Sequence, residues 1–301
     1  MFLIPASLPF AFGHMTRNRK QGWMLFSAMG IIFLALLATA YFNEANGNPA
    51  LASVGLSQDE GSMEGKEVRF GIAQSTLFTT VTTAATTGSV NNMHDTLTPL
   101  GGLVPFVLMM LNDIFGGDGV GFVNITMYAL LAVFIAGLMV GRTPEFLGRK
   151  IEAKEMKLIA ITILIHPLII LVPSAIALAT EMGSSAISNP GFHGISQVVY
   201  EFTSSAANNG SGFEGLGDNT PFWNISTGLV MLFGRYFSMI AMLAVAGSLL
   251  AKKPVPETIG TIKTDNSTFL VILAVTVLIV GALTFFPVLA LGPIAEYLTI
   301  R

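Results

Sequence analysis

The chain has no cysteine and few charged residues, and each shortage excludes a class of protein. Without cysteine it has no disulfide bonds and no thiolate ligands for a metal ion. Charged residues make up 11% of its 301 residues, against roughly 25% in an ordinary soluble domain. Two patterns of ATP-hydrolysing proteins, Gly-x-x-x-x-Gly-Lys and Asp-Lys-Thr-Gly, are also missing. The sequence therefore predicts no ATP site in this chain.

Long apolar runs dominate what remains. Hydrophobic residues make up 52% of the chain and the mean hydropathy is +0.68. A helix needs about 20 apolar residues to cross the hydrocarbon core of a bilayer. Runs of that length predict an all-α integral membrane protein with five full spans, at residues 23–42, 122–141, 158–180, 222–250 and 269–291.

The first residues are apolar over only about half a span. The segment 2–12 contains two prolines and has no basic residue before it, which argues against a signal peptide. We expect residues 1–12 to be the remnant of a preceding transmembrane helix.

The basic residues predict an orientation. Eleven of the fifteen Lys and Arg residues lie in three connections, at residues 13–22, 142–157 and 251–264. By the positive-inside rule these connections are cytoplasmic. The chain is then a multi-pass protein of the cell membrane, in contact with lipid and with no nucleic-acid partner.

An eight-residue polar segment occurs twice, 122 residues apart. Thr-Thr-Ala-Ala-Thr-Thr-Gly-Ser covers residues 82–89, and Ser-Ser-Ala-Ala-Asn-Asn-Gly-Ser covers residues 204–211. Both copies lie between apolar runs. Non-helical backbone at membrane depth must be buried in protein or line a water-filled path, because unpaired backbone groups facing lipid are costly. The repeat therefore indicates an ion path.

We predict two tandem units, each made of a helix, a re-entrant pore helix, a filter loop and a second helix. The first unit covers residues 23–142, with its pore helix at 70–85 and its loop at 86–92. The second covers residues 158–250, with its pore helix at 197–207 and its loop at 208–213. An extra C-terminal transmembrane helix follows at 269–291.

The uncharged loops favour a weakly hydrated monovalent cation. Backbone carbonyls and hydroxyls can replace its water shell without binding it too tightly to leave, whereas carboxylates favour a divalent ion. Glycine permits the torsions that aim carbonyls at one axis. The alternative is that both segments are turns whose hydroxyls bond back to helix carbonyls. The predicted cation contacts are Thr86, Thr87, Gly88, Ser89, Asn208, Asn209, Gly210 and Ser211.

Two opposite charges occupy equivalent positions, each 25 residues after its loop glycine. An intramembrane charge is a functional hypothesis by default, so we predict that Arg235 and Asp113 gate the path below the loops. The alternative is a structural ion pair between them. Gly116 and Gly117 belong to a glycine-rich break after Asp113, which is a second candidate gating element or a passive kink.

Other polar residues are weaker candidates. We expect His94, Asp95, Glu214 and Asp218, which follow the loops, to be solvated residues of an external vestibule. His166 precedes a proline inside an apolar span, and we expect it to be a packed core residue.

Several longer stretches closely resemble the potassium-transporting ATPase A subunit family, KdpA. The resemblance covers essentially the entire chain. It rests on Met-Glu-Gly-Lys-Glu at 63–67, Arg-Phe-Gly at 69–71, Gly-Arg-Thr-Pro-Glu at 141–145, Leu-Gly-Arg-Lys at 147–150, the segment 204–211, Ala-Leu-Thr-Phe at 282–285 and Ala-Leu-Gly-Pro-Ile-Ala-Glu-Tyr-Leu at 290–298.

The resemblance implies a complex in a bacterial or archaeal inner membrane. In that family the A subunit selects potassium from the external side and passes it to a separate P-type ATPase subunit, KdpB, with KdpC and KdpF as further partners. Family members have four pore units, as in the Trk, Ktr and HKT transporters, and this chain resembles the last two. Gly88 and Gly210 would then be filter glycines of units three and four, and Arg235 would be the cationic residue below the filter.

Three hypotheses for the function remain open. The first is the potassium-binding and translocating subunit of an ATP-driven uptake pump, with two further pore units supplied by another chain if the subunit is split. The second is a passive or ion-coupled potassium channel subunit. The third is a truncated, non-conducting remnant. Loss of transport on removing ATP separates the first from the second.

Overall fold

The computed structural model describes residues 1–256 and 261–300, apart from the side chain of Asp118. Regular structure in these ranges is almost entirely helical. A two-residue antiparallel ladder pairs β1 (Glu145–Phe146) with β2 (Arg149–Lys150). The α-helices are α1 (Leu3–Met15), α2 (Arg19–Ala45), α3 (Pro49–Ser53), α4 (Gly71–Ala84), α5 (Pro99–Leu111), α6 (Val120–Val140), α7 (Ala153–Ala179), α8 (Glu181–Ser184), α9 (Phe192–Ala207), α10 (Pro221–Leu250), α11 (Ser267–Leu289) and α12 (Ala295–Thr299).

Five segments are long and apolar enough to cross a membrane, which confirms the predicted number of spans. They are Arg19–Ser53, Val120–Val140, Ala153–Ala179, Pro221–Leu250 and Ser267–Thr299. Large apolar side chains stand exposed along them, as Leu168, Leu232 and Leu283 do. Such a surface is unfavourable in water and suits lipid.

Local sequence signals explain where the main helices begin. The side chain of Asn18 accepts a hydrogen bond from the Gln21 N–H at the start of α2. Helices α5 and α10 begin with a threonine cap followed by proline, at Thr98 and Thr220. A proline at the first helical position loses no hydrogen bond, because that N–H has no partner inside the helix.

The helices pack around two buried clusters. The larger cluster joins α2, α5, α6 and α11 through residues such as Met29, Ile125 and Leu273. The second joins α5, α7, α9 and α10 and includes Tyr200 and Trp223. The short helix α4 contacts α2 and α5, while α9 contacts α7 and α10. Each of these two helices thus packs against at least two others, and they lie where the sequence predicts the two pore helices.

A buried ion pair fixes the segment between α2 and α4. The Lys66 ammonium donates to Glu44 at 2.6 Å, and both side chains are fully buried. The other Glu44 carboxylate oxygen accepts from the N–H and the hydroxyl of Thr98 at 2.8 and 2.6 Å. Because Thr98 also caps α5, this one carboxylate joins the end of α2, the intervening segment and the start of α5.

Candidate ion-binding site

The first predicted loop follows directly from the end of α4. After the helix ends, Thr86 adopts a positive φ of 44° and Gly88 one of 75°. The Thr87 N–H donates back to the Thr82 carbonyl at 3.0 Å, which closes the last turn of the helix. The chain then leaves α4 as extended, non-helical backbone.

The second loop repeats this backbone geometry at positions 122 residues later. Asn208 has a φ of 53° and Gly210 one of 102°. The Asn209 N–H donates to the Ser204 carbonyl at 2.9 Å, the same bond as in the first loop. Asparagine adopts a left-handed φ more easily than most residues, which suits it to the first of these positions.

The two loops meet at their glycines. A Cβ atom added to Gly88 would collide with the carbonyl of Asn209, and one added to Gly210 would lie 3.9 Å from the Cα of Gly88. The Asn209 side chain donates to the Thr82 carbonyl at 2.8 Å, linking the second loop to α4. The structure therefore brings the two predicted loops into contact through Gly88, Asn209 and Gly210.

The carbonyl oxygens of these loops are unused. In the ranges that the structure describes, none of the carbonyls of residues 86–89 or 208–211 accepts a hydrogen bond. In residues 208–211 all four N–H groups are occupied, because they donate to Ser205, to Ser204 or to the Asn209 side chain. The negative ends of α4 and α9 lie at the same loops. Free carbonyls beside two negative helix ends are a suitable environment for a cation.

The loop hydroxyls are more engaged than the carbonyls. The Thr86 hydroxyl accepts from the Gly117 N–H at 2.8 Å. The hydroxyls of Thr87 and Ser89 donate to the sulfur of Met1 at 3.1 and 3.2 Å. Ser211 donates to the Asn209 side chain at 2.6 Å. We therefore assign the larger part of any cation coordination to the backbone.

The structural ion pair considered for Asp113 and Arg235 is not formed. Among the described residues no Arg235 nitrogen lies within 4.0 Å of a carboxylate oxygen. Asp113 is fully buried, and neither of its carboxylate oxygens has a hydrogen-bond partner within residues 1–256 and 261–300. Arg235 is partly exposed on α10. A buried carboxylate without a partner is costly, so Asp113 stays a candidate for the gating role.

The glycine-rich break lies beside the first loop. Helix α5 ends at Leu111, the chain turns through Asn112 with a φ of 48°, and α6 begins at Val120. A Cβ atom on Gly116 would press on the backbone of Gly121, and one on Gly117 would meet the Ala85 carbonyl. In the second unit, α10 runs without a break through the equivalent residues. The break is therefore specific to the first unit.

A small cavity of about 30 Å³, lined by both polar and apolar side chains, lies next to the break. It is roughly the size needed for one water molecule. The Asn124 side chain donates to the Asn112 carbonyl at 2.7 Å and accepts from Ser238 at 3.1 Å, which joins α6 to the break and to α10. His166 also lines this cavity, with its Nε2 at 3.3 Å from the Met109 carbonyl and its ring against Phe285.

Two of the residues expected to be solvated are buried instead. His94 is 0% and Asp95 7% exposed. Asp95 accepts from His193 at 3.0 Å and from Gln197 at 2.9 Å, and the other nitrogen of His193 is 2.9 Å from Glu296. Glu214 and Asp218 are exposed, as expected.

The electrostatics of this cluster follow from burial and partners. Burial, aided by the charge of Lys66, lowers the pKa of His94 to about 4. Burial alone would lower the pKa of His193, but its hydrogen bonds to Asp95 and Glu296 raise that pKa to about 9. Burial alone would raise the pKa of Asp95, but its hydrogen bonds from His193 and Gln197 lower it. At neutral pH His94 is neutral and His193 is charged.

Comparison with known proteins gives one family and a close relative. Residues 1–298 match the family described as Potassium-transporting ATPase A subunit. Over all 301 residues the chain is 73% identical to a protein of Geobacillus kaustophilus (strain HTA426) named Potassium-transporting ATPase potassium-binding subunit. It covers 54% of that relative, so it spans about half the length of the curated protein that it matches.

Proposed function

We propose that this chain, which belongs to the potassium-transporting ATPase A subunit family, KdpA, binds potassium and translocates it across a bacterial or archaeal inner membrane. Potassium would enter from the external side, dehydrate at the two loops and pass to an ATP-hydrolysing subunit. The chain itself would be non-catalytic. Its relative is named a potassium-binding subunit of such an ATPase, which supports this assignment.

The observation that carries the proposal is the row of unused carbonyls at the meeting point of the two loops. Residues 86–89 and 208–211 supply eight such oxygens in the described part of the chain. Neutral oxygens compensate for lost hydration of a potassium ion without holding the ion permanently. Gly88 and Gly210 allow the close approach of the loops, so we assign these two residues the central place in the site.

The helix break and the buried carboxylate are the proposed gate. Gly117 donates to Thr86, so a movement of the break is transmitted directly to the first loop. Asp113 lies fully buried just before the break. Arg235, on the second unit, would limit passive flow by adding positive charge below the loops, while Gly116 keeps the break in close contact with the start of α6.

The proposal requires partners. The ATPase subunit KdpB would supply ATP hydrolysis, and KdpC and KdpF would complete the complex. Two further pore units, on the same polypeptide or another one, would complete the ring of four that the family resemblance implies.

The test is potassium-stimulated ATP hydrolysis by the purified complex, with and without this chain. We expect stimulation that disappears when the chain is omitted. ATP hydrolysis that potassium does not stimulate, or failure of the chain to form a complex, would contradict the pump assignment. Potassium flux that continues without ATP would instead favour a passive channel.

A further inference from the structure

A chain of buried side chains lies behind the second loop. The Nδ1 of His94 is 2.9 Å from the Tyr200 hydroxyl, which is 2.9 Å from the Ser211 hydroxyl. Ser211 is in turn 2.6 Å from the Asn209 side-chain oxygen, and the Asn209 amide donates to the Thr82 carbonyl at 2.8 Å. His94 and Tyr200 are both 0% exposed. We call these four side chains, His94, Tyr200, Ser211 and Asn209, the relay.

The direction of every hydrogen bond in the relay is determined. The Asn209 oxygen also accepts from the Ser211 N–H at 2.9 Å, so it is an acceptor and the Ser211 hydroxyl must donate to it. A hydroxyl has a single hydrogen, so Ser211 accepts from Tyr200 and Tyr200 accepts from His94. The histidine therefore holds its proton on Nδ1, while its buried Nε2 has no partner in the described ranges.

The relay begins on the first unit at His94, and its last member, Asn209, donates back to that unit at Thr82. His94 belongs to the turn after the first loop and Thr82 to the first pore helix, whereas Tyr200, Ser211 and Asn209 belong to the second unit. Tyr200 is further fixed by stacking on Phe213, with ring centroids 4.2 Å apart. The position of the second loop is thus set by contacts with both units.

The first loop has no equivalent device. The residue 122 positions before Tyr200 is Phe78, which has no hydroxyl group. Ser89, the equivalent of Ser211, is exposed. Of the N–H groups of residues 86–89, only that of Thr87 donates a hydrogen bond within the described part of the chain, whereas all four N–H groups of residues 208–211 do.

We propose that His94 and Tyr200 are positioning residues that determine ion specificity, because their hydrogen bonds hold Ser211 and Asn209 and thereby fix the Gly210 carbonyl. The inference rests on the proposed potassium function and adds residues that lie outside the two loops. Without the Tyr200 hydroxyl, Ser211 can rotate away from Asn209, and the loop can adjust to a slightly larger ion. Discrimination between potassium and rubidium then falls, although the site keeps all of its ligands.

The test compares Tyr200→Phe with the wild-type complex. The readout is the ratio of the potassium and rubidium concentrations that half-stimulate ATP hydrolysis. One uncharged hydrogen bond contributes about 1 kcal/mol, which corresponds to a change of about fivefold. We expect the preference for potassium to fall by about fivefold, with maximal hydrolysis close to that of the wild type. Tyr41→Phe, at an exposed tyrosine, should leave the preference unchanged.

Two variants at His94 test the same proposal independently, in case Tyr200→Phe misfolds. In His94→Asn the side-chain amide can still donate from nearly the position of Nδ1, whereas His94→Ala has no donor. We expect the preference to be retained in the first variant and reduced in the second, at comparable thermal stability.

The possible results distinguish this inference from the proposed function. A wild-type complex that potassium does not stimulate overturns the function, and the inference with it. A stimulated wild type with the same preference in Tyr200→Phe, or in the two His94 variants, overturns the role of the relay alone.

Discussion

Alanine substitutions at the two loop glycines should have unequal effects. Both glycines have a positive φ, so alanine adds backbone strain of about 1–2 kcal/mol at either position. At Gly210 the new Cβ would meet nothing closer than 3.9 Å, whereas at Gly88 it would collide with the Asn209 carbonyl. An overpacked contact costs a further 1–3 kcal/mol or so. Gly88→Ala should therefore destabilise the protein more than Gly210→Ala does, by about 1–3 kcal/mol.

The measurement is the thermal midpoint of the purified complex at saturating potassium, together with the potassium concentration that half-stimulates hydrolysis. Gly55→Ala is the matched control, because Gly55 has a φ of 87° and no neighbour within 4 Å of an added Cβ. Gly210→Ala should lower the midpoint about as much as the control does. Gly88→Ala should lower it further and weaken apparent potassium affinity, because it displaces the Asn209 carbonyl. Equal effects of Gly88→Ala and Gly210→Ala would refute the packing of the loops described above.

Three further predictions concern stability. Glu44→Gln should cost about 3–5 kcal/mol because it leaves the buried Lys66 charge without its partner; the double variant Glu44→Gln/Lys66→Met should recover most of that loss in a denaturation series. His193 has a pKa raised to about 9 in the folded protein, against about 6.5 in the unfolded chain. Its charge therefore stabilises the fold fully below pH 6.5 or so, and this stabilisation is lost as the pH rises through about 9. The thermal midpoint of the wild type should fall over this pH range, whereas that of His193→Gln should not. Asn124→Leu should cost about 1–3 kcal/mol because the buried Asn112 carbonyl loses its donor, whereas an unchanged midpoint would mean that water replaces the amide.

The sequence was sufficient to predict the spans and the pairing of the loops. Each span is a continuous apolar run, and this signal is local. The repeat at 82–89 and 204–211 identified loop residues whose backbones do match and whose glycines do meet. The resemblance to the KdpA family is confirmed by the family match over residues 1–298. The division of the chain into two pore units and the roles of the individual site residues stay predictions.

The cluster behind the loops could not be predicted in the same way. His94 and Asp95 follow a polar loop, and their neighbours in sequence gave no sign that they are buried. Their partners Tyr200 and His193 are about a hundred residues away, and a single sequence does not reveal such pairings. The constant spacing of 122 residues between the two repeats did offer one signal, since Tyr200 is at the position equivalent to Phe78 in the first unit.

The alternative considered for Asp113 and Arg235, a structural ion pair, does not form among the described residues, while their gating role stays a prediction. Equivalent positions in two repeats need not face each other, because the first unit interrupts its helix at Asn112 and the second continues through Arg235. The break redirects the chain at Asp113, and the ion pair considered from the sequence does not form among the described residues.

The most direct test of the ion site is anomalous scattering from crystals of the complex grown in rubidium. We predict a peak between Gly88 and Gly210, about 3 Å from carbonyl oxygens of residues 86–89 and 208–211, the distance range of direct carbonyl coordination after loss of the hydration shell. A well-ordered rubidium ion elsewhere in the membrane-embedded part, with no peak at the loops, would contradict the assignment of the filter to these residues.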